Sequence, residues 1–69
     1  MIKYIRADIQ AETERQAELL THFINETWCP GYATRDGVNV MLKGPIPEAM
    51  LRQMVGLAES LAKAEGQDV

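Results

Sequence analysis

The sequence predicts a small α+β domain of βαββα order, with two helices packed on one face of a short antiparallel or mixed sheet. Three observations lead there. Apart from Gly56, the helix breakers gather in the centre of the chain (Pro30, Gly31, Gly37, Gly44, Pro45 and Pro47) and recur once near its end at Gly66. On either side of that centre apolar residues repeat at helical spacing, and within it they alternate as in a strand. The chain has 69 residues, 46% of them hydrophobic, and so residues 1–69 are read as a single domain.

The first element is ambiguous in its own terms. Ile5, Ala7 and Ile9 alternate and are flanked by Tyr4 and Ile2, residue types that pleated strands favour. Ile2, Ile5 and Ile9 equally continue a helical stripe. We read residues 2–7 as the third strand of the sheet; helical structure over residues 2–8 would give an α-hairpin-α fold instead.

The first helix is expected over Ala11 to Glu26, within outer limits of residues 10 to 28. Ala17, Leu20, Phe23 and Ile24 share a face, while Glu12, Glu14, Arg15, Glu18 and Asn25 are mostly turned away. Thr13 and Gln16 fit a capping box, although Asp8 is the better cap if Ile9 is to be buried. A hairpin follows, turning at Asp36-Gly37, a dipeptide that tolerates positive φ, with Val38, Val40 and Leu42 facing the helices.

The second helix is expected over residues 47 to 64. Pro47 suits a first helical position, Glu48 complements the dipole and Gly66 is placed to end the helix. Met50, Leu51, Met54, Val55, Ala58, Leu61 and Ala62 form its apolar stripe. Glu48 with Arg52 and Glu59 with Lys63 are spaced for i,i+4 ion pairs.

Charge and cysteine usage narrow the function. Ten acidic residues against seven basic ones leave a net charge of −3, and one cysteine permits neither an intrachain disulfide nor a paired Cys/His metal site. With no long apolar run and charges spread through the first ten residues, the expectation is a soluble cytoplasmic protein without a cofactor. Cys29 is expected at a helix C-terminus, where the dipole disfavours a thiolate. His22 lies roughly 10 Å from it along a continuous helix, too far for a dyad. We therefore expect no enzymatic activity.

Two binding readings remain. Trp28 and Tyr32 flank a Pro-Gly turn, and with Glu14 and Glu18 on the acidic first helix they make a candidate partner-binding surface. The plainer account of the aromatics is that they close one end of the core. On the first reading the chain is a non-enzymatic regulator or inhibitor that binds another protein, a class that includes nucleic-acid-associated ones. The alternative is a nucleic-acid-binding domain whose sheet gathers Lys3, Arg6, Arg35 and Lys43 into a basic face. The short chain and the adaptable side chains of Met41, Met50 and Met54 also lead us to expect a homodimer.

Overall fold

The computed structural model describes residues 1–66. Five short strands and two helices follow one another as β1 (Tyr4–Ile5), β2 (Ile9–Gln10), α1 (Glu14–Thr27), β3 (Ala33–Asp36), β4 (Asn39–Leu42), β5 (Ile46–Pro47) and α2 (Glu48–Gly66). The fold is a small α+β domain. β2, β4 and β3 form an antiparallel sheet in that spatial order, and β1 pairs with β5 in a separate two-stranded sheet.

The expected first strand is thus divided between two sheets. Tyr4 and Ile5 lie opposite Pro47 and Ile46, whereas Ile9 and Gln10 lie opposite Val40 and Asn39. The chain changes sheets at Arg6 to Asp8, where the Asp8 carboxylate accepts the Leu42 N–H at 3.4 Å. Ile9, which the periodicity also allowed at a helix entrance, is the residue that completes the main sheet. No described residue from 2 to 8 is helical.

α1 consequently starts at Glu14, later than expected, with Thr13 as its cap. The Thr13 hydroxyl accepts the Gln16 N–H at 3.1 Å, while the Gln16 side chain accepts the Glu12 N–H at 3.0 Å. That is a capping box displaced by one residue on its return arm. Asp8 does not cap the helix because the chain between it and Thr13 is drawn into the sheet, where the Ala11 N–H donates to the Val38 carbonyl at 2.8 Å.

The hairpin turn also lies one residue beyond its expected place. Asp36 pairs with Asn39, so the two-residue loop is Gly37-Val38, with Gly37 at φ +62° and no positive φ at any non-glycine residue among the described residues. An Asp36-Gly37 loop of the primed type would require positive φ at both positions, whereas a turn opening on glycine requires it only there. Val40 is fully buried and Leu42 half-buried on the helix-facing side, with Val38 half-buried in the turn. Thr34, Asp36, Asn39 and Met41 form an exposed outer face.

Pro47 ends β5 instead of opening α2, and the Glu48 N–H donates to the Lys3 carbonyl at 2.8 Å. A proline there costs the sheet nothing on a strand two residues long. The core consists of Ala17, Leu20 and Ile24 from α1, Ala33, Val40 and Ile46 from the strands, and Leu51, Met54 and Ala58 from α2. α1 rests on β3 and β4; α2 packs on α1 and on β5. The Glu48–Arg52 ion pair forms at 2.7 Å, but no Glu59–Lys63 pair is present among the described residues.

The edge of β3 is closed by a side chain. Asn25 donates its amide to the Ala33 carbonyl at 3.1 Å and accepts the Ala33 N–H at 2.8 Å, acting as one more residue of a neighbouring strand. Asn25→Ala leaves both main-chain groups of Ala33 without these partners and should lower the unfolding free energy by about 1–3 kcal/mol. Urea denaturation will read this as a lower midpoint at unchanged slope.

Candidate interaction surface

The four residues singled out as a binding surface all lie along or just beyond α1. At 100° per residue, Glu14, Glu18 and Trp28 project within about 80° of one another, Tyr32 follows four residues after Trp28, and Glu14 and Trp28 stand about 21 Å apart along the axis. They form a strip along one flank of α1, with the acidic residues and the aromatics at opposite ends. Glu14 is exposed in the first helical turn, where the dipole favours its negative charge.

Glu18 is not a free carboxylate. Arg15 pairs with it and also holds Glu65 of α2 through two bonds, Nε to Oε1 at 2.7 Å and the other guanidinium nitrogen to Oε2 at 2.9 Å. Glu18 and His22, also four residues apart on α1, form no ion pair among the described residues. The Glu65 hydrogen bond, with a smaller contribution from Glu18, pushes the Arg15 guanidinium above its already high pKa, and the same bond holds the Glu65 carboxyl below the usual carboxylate value. The bridge joins the start of α1 to the end of α2, so the helices run antiparallel.

The aromatic end is built from a sequence of turns. The Trp28 N–H donates to the Ile24 carbonyl at 2.8 Å, Gly31 takes φ +74°, and the Tyr32 N–H returns to the Cys29 carbonyl at 3.1 Å. The Tyr32 hydroxyl donates to the Pro45 carbonyl, and its ring meets that of Trp28 edge to face at a centroid distance of 6.4 Å and 76° between planes. Tyr32 packs against the edge of the core; Trp28 does not belong to it and remains 39% exposed. Cys29 is exposed beside it.

The four basic residues of the alternative reading are dispersed. Arg35 lies opposite the buried Val40 and so starts from the helix-facing side of the sheet, whereas Lys43 continues the alternation of Asn39 and Met41 on the other side. Lys3 pairs with Glu48 at 3.3 Å, and the Arg35 guanidinium donates to the Gly37 carbonyl at 3.0 Å.

One feature escaped the sequence reading. Between β2, α1 and α2 lies a groove of about 160 Å³ with walls of Ile9, Ala11, Leu20, Val55 and Ala58, and with Glu12, Gln16 and Glu59 at its mouth. Its residues come from three distant segments, so no local pattern could have signalled it. Among the described residues no group of three or more His, Cys, Asp or Glu side chains is arranged to hold a metal ion. No helix among them is long and apolar enough to cross a membrane. No family model, curated protein or solved structure matches the chain.

Two outcomes test this geometry. A Cβ on Gly44 would stand 2.9 Å from the Tyr32 hydroxyl oxygen. Gly44→Ala should therefore displace the phenol from Pro45 and loosen the Tyr32–Trp28 contact, seen as loss of cross-peaks between the two rings in NMR spectra. The second outcome concerns pH. Because the folded state lowers the Glu65 pKa, its contribution to stability is present above the unfolded carboxylate value of about 4.3 and is lost as pH falls through the lower folded value. The stability difference between wild type and Glu65→Gln should shrink progressively as the pH falls below about 4.3 and be lost once it passes the lower folded value, as measured by thermal unfolding at several pH values.

Proposed function

We propose that this chain is a non-enzymatic interaction module, a small acidic regulator or inhibitor that binds another protein along the α1 flank. The observation that carries the proposal is the combination at Trp28: a large aromatic left 39% exposed, yet braced edge-on by a Tyr32 that is itself hydrogen-bonded at both its backbone and its hydroxyl. A rigid, accessible indole gives a partner a large apolar contact with little ordering cost, and tryptophan is enriched among residues that dominate binding energy. Its backbone closes α1 while its side chain stands outside the buried core cluster, against Tyr32.

The acidic part of the strip has a different role. Glu14 is exposed and forms no ion pair among the described residues, and with a chain charge of −3 it favours a partner whose surface is basic. Exposed pairs contribute only about 0–1 kcal/mol each, so these carboxylates act chiefly on the rate of encounter. Glu18 shares its charge with Arg15 and is weaker in this respect than Glu14.

Affinity capture from a native lysate tests the reading. Wild-type protein should recover a specific basic partner that Trp28→Ala, with an unchanged circular-dichroism spectrum, does not. Glu14→Lys should slow association with that partner at low salt and flatten the salt dependence of the on-rate, with a smaller change in dissociation. Recovery of the partner in equal amounts by wild type and Trp28→Ala overturns the proposal, as does capture of no specific partner.

A further inference from the structure

Packing is incomplete where β2, α1 and α2 meet. Ala11 and Ala58 both line that junction, and side chains of a single methyl group leave the groove of about 160 Å³ between Ile9, Leu20 and Val55. Protein interiors hold few voids larger than a water molecule, whereas this one has room for about five groups of that size at ~30 Å³ each. Drug-sized ligands fill clefts of roughly 300–1,000 Å³, so the space is that of one short aliphatic group. Its charged lining is of one sign: Glu12 and Glu59 stand at the mouth, and no Lys, Arg or His lines it.

Neither mouth carboxylate is neutralised from within the chain. Among the described residues Glu12 and Glu59 form no ion pair. Arg15, next to Gln16, is held by Glu18 and Glu65, and Lys63, one turn beyond Glu59, does not pair with it. The Gln16 side-chain oxygen is turned to the Glu12 N–H at 3.0 Å. Apolar walls below two unpaired carboxylates are complementary to a ligand that is apolar at one end and positive at the other.

We propose that this groove binds a free primary amine with an aliphatic tail of about five carbons, the tail lying against Ile9, Leu20 and Val55 and the ammonium at the mouth with Glu12 and Glu59. The order of the groups selects the occupant. A lysine side chain of a partner protein enters ammonium first, which puts the charge among apolar walls and leaves the carboxylates behind it. A free amino acid with the same tail brings its own carboxylate to a mouth that already holds two. A small amine instead covers the walls, releases the water against them and places its charge where the acceptors are. The site is separate from the α1 strip, since Glu18 stands about 160° around the helix from Gln16.

Titration with isopentylammonium chloride, followed by amide NMR shifts at an ionic strength matched with sodium chloride, tests the proposal. Wild type should bind with a dissociation constant of about 1–10 millimolar, in keeping with a ligand of about six heavy atoms, and the shifts should centre on Ile9, Ala11, Val55 and Ala58. Glu12→Gln and Glu59→Gln, both changes at exposed positions, should each weaken binding about threefold, and together about tenfold, as exposed ion pairs do. Isopentanol, with the same tail and no charge, should bind about tenfold more weakly than the amine. Leucine should leave the groove resonances unmoved at about 20 millimolar. Ala11→Leu, which fills the groove, should abolish binding, while Trp28→Ala should bind the amine as wild type does, keeping this site distinct from the α1 surface. A wild type whose groove resonances do not move at about 50 millimolar amine overturns the proposal. So does isopentanol or leucine binding as tightly as the amine, or undiminished binding by the double glutamine variant.

Discussion

The two hydrogen bonds between the Asn25 side chain and Ala33 join the halves of this molecule. α1 and the hairpin are connected by a loop containing Pro30 and Gly31, and nothing in that loop alone would fix their mutual orientation. Asn25 does so by satisfying both main-chain groups of Ala33 from the side opposite β4. The clamp places the buried Ala33 beside Ala17, Leu20 and Ile24, and the exposed outer face of the sheet follows from it. It also fills a position at the open edge of β3, where unpaired N–H and C=O groups would otherwise invite another strand.

The same clamp explains why the aromatic corner has the shape it does. With Asn25 and Ala33 held together, the seven residues between them must reverse within a short span. The reversal is made by the Trp28 and Tyr32 N–H bonds and by the positive φ of Gly31. Tyr32 is carried to the start of β3, its carbonyl accepts the Lys43 N–H at 2.9 Å, and its hydroxyl reaches Pro45. Trp28, one residue past the end of α1, has no place left beneath the helix. Its exposure is therefore a consequence of how tightly the turn is drawn, and only afterwards an opportunity for binding.

Much of this was legible in the sequence, and what was not has a physical reason. α2 and the central part of α1 could be read because their apolar spacing is long and strongly periodic. The α1 start was displaced because Asp8 and Thr13 are both good caps, and the choice between them depends on whether Ile9 joins a helix or a sheet. That is decided by Val40, thirty-one residues away. The division of the first strand has the same origin, since β1 is defined only by pairing with Ile46 and Pro47. Of the candidate surface, the residue choices on α1 could be made locally, but the bond from Arg15 to Glu65 joins residues fifty positions apart and has no local signal.

The distribution of charge on the two helices has a further consequence. Arg15 pairs with Glu18 and Glu65 together, at the point where the start of α1 meets the end of α2, and offsets one of their two negative charges. Among the described residues, the carboxylates of α1 that remain exposed without an ion pair are Glu14 near its start and Glu26 near its end, while the outer arc of α2, around Leu57 and Leu61, carries no charge. The molecule thus presents an acidic and aromatic strip on one helix and an apolar, uncharged strip on the other. A contact made through the first would respond to salt and to the charge of what it met, and one made through the second would do so less.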